Sequence, residues 1–181
     1  LTDAADQQRV DRQRHQRRCR DPREVIVYHL PSITAVPLSS PLIGRLKRAF
    51  PGVVTGVKDS SGEWANTERL LVDHADLHIL VGDERQLARA MRQGGSGAIN
   101  GFSNFCARTI LPMVERGEDV AGIAELVDLL LRYPVTPGVK ALVAHRFRDD
   151  AYLAVAPPLV PADSATRAAL AAASDALPTG Q

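Results

Sequence analysis

Val53-Val54-Thr55-Gly56-Val57-Lys58-Asp59-Ser60-Ser61-Gly62 is a β-branched run that ends in a lysine and a polar turn closed by glycine. Valine and threonine fit a pleated backbone, so residues 53–57 read as a strand. The segment before it, residues 41–50, reads as a helix with an apolar stripe of Leu42, Ile43, Leu46 and Ala49. Pro51-Gly52 stops that helix. A second helix follows the strand near residues 66–74. Helix, strand, helix is the local unit of a parallel sheet, and the same unit recurs on both sides.

Upstream, Glu24-Val25-Ile26-Val27-Tyr28-His29-Leu30 reads as a buried strand, and Pro31-Ser32 after it as a loop. Downstream, Leu77-His78-Ile79-Leu80-Val81 is a third strand ended by Gly82-Asp83. Residues 84–93 are a helix, and Gly97-Ala98-Ile99-Asn100 is a short fourth strand set among glycines. After Phe105 the alternation stops. Residues 108–116, 120–132, 138–148 and 164–176 read as helices, separated by Pro134, Pro137, Pro157-Pro158 and Pro161. The fold class is α/β: residues 24–106 alternate strand and helix as in a parallel sheet with helices outside, and C-terminal helices follow over 107–181.

Residues 1–23 have a different composition. Gln, Arg and Asp dominate, and a segment so poor in aliphatic side chains cannot offset its ordering entropy. It reads as a disordered or artefactual leader, or as a basic arm for an acidic partner. A net charge of +1 over 181 residues argues against nucleic acid or a membrane surface as the partner of the whole chain. No apolar run reaches the ~20 residues of a membrane span. Cys19 and Cys106 lack any framework spacing, which fits a reducing cytoplasm and no structural metal. His29, His74, His78 and His145 lack ligand spacing too, and read as structural, surface or pocket-lining residues.

Chemistry in a parallel α/β sheet gathers where the strands end, because the loops there form the pocket. Lys58 stands at such an end, on the same face as Gly56 and Val54. Burial there would disfavour the cation and supply a neutral amine, and Gly56 would leave room beneath it. A lysine that snorkels to solvent or pairs with Asp59 is equally consistent with the spacing. Tyr28 ends the neighbouring strand, on the face of Ile26, and can point into the same mouth. Its phenol could relay protons, or could simply bond a backbone group. Gly82-Asp83-Glu84 reads either as a turn at the pocket rim with carboxylates facing polar substrate groups, or as a strand-to-helix turn in which Asp83 caps the helix. Gly94-Gly95-Ser96-Gly97 lacks a following Lys-Ser/Thr and precedes a strand, so it reads as a helix cap rather than a phosphate loop.

Taken together, these segments resemble the dihydrodipicolinate synthase and N-acetylneuraminate lyase family over residues 25–159. Tyr28-His29-Leu30-Pro31-Ser32 resembles the family's fifth-strand Tyr-Asn-x-Pro segment. The Gly56–Gly62 stretch (56–62) resembles its sixth-strand lysine segment. Val81-Gly82-Asp83-Glu84 resembles its seventh-strand turn, and residues 94–100 with Ser103-Asn104 its eighth-strand segment. The resemblance implies strands five to eight of a (β/α)₈ TIM barrel, a Schiff base between Lys58 and pyruvate or another 2-oxo acid, and Tyr28 as proton donor and acceptor. It also implies substrate contacts at Gly82 and at the backbone of Ile99, and needs no cofactor. A protonated imine is an electron sink for cleavage or formation of the adjacent C–C bond.

Three departures qualify these expectations. A full barrel needs ~250 residues, and too few follow position 23. The family's Gly-Thr-Thr-Gly-Glu carboxylate loop has no counterpart here. The arginine that follows Pro-Ser in the synthase branch is Ile33, and the family asparagine after the tyrosine is His29. An incomplete barrel has unpaired edges and an open apolar face, so it is expected to form homo-oligomers or to be an inactive fragment that associates with a partner.

Overall fold

The structure is a computed structural model and describes residues 24–178. The expectation for the leader, residues 1–23, falls outside the described residues, as does Cys19. Four strands form one parallel sheet: β1 (Val25–His29), β2 (Val54–Asp59), β3 (His78–Val81) and β4 (Gly97–Ala98), in the order β1-β2-β3-β4. Sequential neighbours in a parallel sheet require a crossover each time. Helices α2 (Ser40–Ala49), α3 (Trp64–Asp73) and α4 (Glu84–Arg92) supply them. This is the parallel sheet that the alternation implied and the incomplete barrel that the resemblance implied.

The crossovers all lie on one face. There Val57, Ile79 and Val81 of the strands meet Ile43, Leu70 and Leu87 of the helices, all essentially inaccessible. The core continues without a break into the C-terminal helices α5 (Ala107–Glu115), α6 (Ile123–Leu130), α7 (Val135–Phe147) and α8 (Ser164–Asp175), through Ile110, Ile123, Leu126, Leu142 and Leu170. The other face of the sheet has no helix over it among the described residues. Ile26 and Tyr28 of β1 are 41% and 48% exposed. His78 is exposed, and Lys58 and Leu80 are half-buried.

Several local expectations need correction. β1 was expected to be a buried strand, but it is a sheet edge with one open face. Pro31-Ser32 begins a one-turn helix, α1 (Pro31–Thr34), because proline is compatible with a first helical position. β2 runs past Val57 to Asp59, since β1 and β3 both pair there. β4 is only two residues long, although the Ile99 N–H still donates to the Val81 carbonyl at 3.1 Å. Ala49 lies outside the buried stripe of α2. Pro137 falls within the first turn of α7 instead of separating two helices, because N–H groups there have no intrahelical acceptor.

Gly56 also has a different reason from the expected one. A Cβ built on it would lie 2.6 Å from the His78 carbonyl oxygen and 3.4 Å from Ile26 Cγ1. The glycine allows three strands to close up, and its space is filled by the neighbouring backbone rather than left open under the amine. Gly56→Ala should therefore push β2 from β3 and destabilise the chain by roughly 2 kcal/mol, the usual cost of an overpacked methyl. A urea midpoint unchanged from the native chain would refute this.

Candidate active site at the strand ends

Register brings the expected residues together. Tyr28 pairs with Lys58, Lys58 with Leu80, and Leu80 with Gly97. Paired residues in a parallel sheet share a face, so Tyr28 and Lys58 stand side by side on the open one. Ser60, Gly82 and Ile99 each lie two residues beyond a member of this row, about 7 Å further toward the strand ends. All four expected site residues thus belong to one surface. Lys58 Nζ sits 3.9 Å from the centroid of the Tyr28 ring, a cation–π contact. The contact is with the ring face, and the phenol oxygen has no hydrogen bond among the described residues. Lys58 is half-buried instead of enclosed, because no element covers this face among the described residues.

Asp59 points the other way. It is 3% exposed and does not pair with Lys58, since neighbouring side chains on a strand alternate. Its Oδ1 accepts the Ser61 N–H at 3.0 Å and lies 3.1 Å from His29 Nδ1. Its Oδ2 accepts from Asn66 Nδ2 at 2.9 Å and Thr67 Oγ1 at 2.8 Å. Burial alone would raise this carboxyl's pKa. The hydrogen bonds from Asn66, the Ser61 N–H and Thr67 outweigh burial and hold it below the ordinary value. His29 is buried and belongs to this network, on the helix side of the sheet. The network joins the ends of β1 and β2 to α3, and so fixes the strands that carry Tyr28 and Lys58.

The next strand end is fixed by close approach. The Gly82 N–H donates to the Asp59 carbonyl at 2.7 Å. A Cβ on Gly82 would lie 1.9 Å from Ser60 Oγ and 2.9 Å from Ser60 Cβ. Asp83 caps α4 as expected, its Oδ1 accepting the Arg85 N–H at 3.0 Å. Glu84 is 5% exposed, and its Oε1 accepts the Phe102 N–H at 3.1 Å. Burial pushes its pKa up to about 6, with help from the Asp83 charge. Sequence reasoning placed Asp59, Ser60 and Glu84 at these strand ends but missed the buried network of Asp59, the Ser60–Gly82 approach and the Glu84–Phe102 hydrogen bond. The polar character of Asp59-Ser60-Ser61 was visible, but the sorting of these side chains to opposite faces needed the register.

Comparison with known proteins bears on the family and the fold. The sequence profile of the dihydrodipicolinate synthetase family matches residues 19–176. A DapA-like lyase of Chloroflexus aurantiacus is 31% identical over 163 residues, which is 86% of this chain and 54% of that protein. A 4-hydroxy-tetrahydrodipicolinate synthase of Sorangium cellulosum is 35% identical over 84% of this chain and 53% of its own length. The crystal structure of dihydrodipicolinate synthase from Agrobacterium tumefaciens superposes with a TM-score of 0.84 at 51% identity, covering 87% of this chain and 55% of that one. The chain thus spans about half the length of the relatives it matches. N-acetylneuraminate lyase of Fusobacterium nucleatum, at 19% identity and a TM-score of 0.66, shares the fold.

Asp59→Ala should leave Asn66, Thr67, the Ser61 N–H and His29 without their acceptor, at a cost of about 3 kcal/mol in urea unfolding. The depressed pKa also sets a sign. The ionised carboxylate's contribution is present above the ordinary value of 3.8 and is lost as pH falls through the lower folded value. Asp59→Asn should lack that acid limb. Parallel acid curves for the two proteins would rule the network out as its source.

Proposed function

The chain belongs to the dihydrodipicolinate synthetase family, and on that premise we propose that Lys58 forms a Schiff base with pyruvate or another 2-oxo acid in a lyase or synthase reaction. The observation that carries the reading is the Tyr28–Lys58 register pair, with Nζ over the phenol ring at 3.9 Å. In this reading Nζ attacks the C2 carbonyl carbon, the carbonyl π pair moves to oxygen, and one proton passes from the nitrogen to that oxygen to give the carbinolamine. The carbinolamine hydroxyl takes a proton from Tyr28 and leaves as water, and the protonated imine remains. Electrons from the adjacent C–C or C–H bond then flow into that iminium to give an enamine. The imine is itself the electron sink, so the step calls for no metal or organic cofactor.

The neighbours divide the remaining work. A ring face beside Nζ favours a cation there, by roughly 0.5–1 kcal/mol at an exposed site, and the iminium is such a cation. The Ile99 N–H is already engaged with Val81, so only the Ile99 carbonyl is available. A carbonyl accepts, which suits the carbinolamine hydroxyl or the iminium N–H and not the substrate carboxylate. Gly82 likewise has its N–H engaged, and contributes by letting the β3 end close on Ser60. The Ser60 hydroxyl, on the same face, can donate to the carboxylate. The same reading has the enzyme acting in the cytoplasm and as an oligomer, the latter supported by the exposed edge and face of β1.

Borohydride reduction in the presence of pyruvate tests the reading. A stable pyruvyl adduct should appear on Lys58 by mass spectrometry and be absent in Lys58→Ala. Tyr28→Phe should slow its formation by about 100-fold, the scale of one positioned proton donor. No adduct on Lys58 at saturating pyruvate would sink the proposal.

A further inference from the structure

The turn after β4 is held at two points to the end of β3. At one side the Ile99 N–H donates to the Val81 carbonyl at 3.1 Å. At the other the Phe102 N–H donates to Glu84 Oε1 at 3.1 Å. Residues 81–84 and 99–102 are therefore two equal stretches fastened to each other at both ends, with Gly82 inside one and Ile99 in the other. The second fastening is a side chain and not a backbone bond, so it is the one that a substitution can remove. It is also well seated. Glu84 is 5% exposed, and the Phe102 ring, 1% exposed, lies 5.0 Å from Phe105. Between the two fastenings, Gly101 runs so close to α7 that a Cβ there would meet Val139 Cγ2 at 2.8 Å.

We propose that Glu84 is a positioning residue for the 2-oxo acid: its carboxyl clasps the turn after β4 to the end of β3 and so sets the Ile99 carbonyl relative to Lys58. The proposal rests on the Schiff-base reading of Lys58. Its rationale is that a substrate contact made through backbone is only as well placed as the segment bearing it. Without the clasp, the segment from Ile99 to Phe102 is held by the Val81 hydrogen bond, the packing at Gly101 and the buried Phe102 ring, none of which fixes the Phe102 N–H. The carboxyl meets three charged or titratable groups: Asp83 and Arg85 on its own turn, and the Cys106 thiol, whose pKa burial and the Glu84 charge push up to about 12. An ionised acceptor makes the stronger hydrogen bond, so the clasp tightens as pH rises through about 6. The fold feels the opposite sign. A raised carboxyl pKa contributes stability below the ordinary 4.5 that is lost as pH rises through the folded value near 6.

Glu84→Ala and Glu84→Gln separate the clasp from mere folding. Two quantities are read on the full chain: amide hydrogen exchange at Phe102, and the pyruvate concentration for half-maximal borohydride-trapped adduct on Lys58. Glu84→Ala should speed Phe102 exchange and raise the half-maximal pyruvate concentration, each by about 10-fold, the value of one buried hydrogen bond to a charged group. Glu84→Gln keeps an acceptor oxygen. It should retain most of the Phe102 protection but lose the change in half-maximal pyruvate between pH 5 and pH 7. Unchanged exchange in Glu84→Ala overturns the clasp. Faster exchange with unchanged half-maximal pyruvate overturns its positioning role. A native chain that traps no adduct overturns the imine reading and the positioning role together, while Phe102 exchange still decides whether the clasp exists.

Discussion

The buried carboxylate of Asp59 faces donors from the end of β1, the turn after β2 and the first turns of α3. A carboxylate removed from water is tolerable only when its lone pairs are met, and here a hydroxyl, an amide, a backbone N–H and an imidazole face them. Because that requirement is strict, the two strand ends and the helix have one mutual arrangement that satisfies it. Tyr28 and Lys58 are the residues just before His29 and Asp59 on the two strands. Fixing the buried pair on one face therefore fixes the Tyr28–Lys58 pair on the other.

This two-sidedness governs the rest of the structure. The sheet face bearing Val57, Ile79 and Val81 is closed by crossover helices and joins a core that runs to α8. The face bearing Ile26, Tyr28, Lys58 and Leu80 has no such cover among the described residues. Chemistry-bearing side chains therefore sit where the fold supplies support from behind but little enclosure in front. Catalysis at an amine gains from exclusion of water, which strengthens the electrostatics and limits hydrolysis. On the Schiff-base reading, a cover for Lys58 would lie over this open face, where the β1 edge offers backbone donors and acceptors.

Much of this was legible in the sequence, for reasons that the structure makes plain. β-branched runs closed by glycine or proline marked β1, β2 and β3, because a parallel sheet needs such runs whatever covers it, and β4 was read from the short stretch 97–100 set among glycines. Lys58, Tyr28, Gly82 and Ile99 were placed at strand ends, and the register puts them on one face. What stayed hidden depended on partners distant in the chain. Nothing local in Glu24-Val25-Ile26-Val27-Tyr28 says that one side of that strand is uncovered. Gly56 looked like space for an amine, whereas the His78 backbone, from another strand, fills that space. Glu84 read as part of the turn that ends the third strand, and its burial against Phe102 arises only when β4 lies beside β3. The availability of the Ile99 carbonyl, but not its N–H, likewise follows from pairing.

The contact between Gly82 and Ser60 has a consequence for how such a sequence can change over time. With a hydroxymethyl group at 60, even one methyl at 82 has nowhere to go, since Ser60 Cβ itself would be 2.9 Å away. A smaller residue at 60 opens room at 82. The two positions are therefore not free to drift separately: a side chain can enter at 82 only in a lineage that has first lost one at 60. Sequences descended from this one should vary at these sites as a pair, in that order, although 21 residues of chain lie between them.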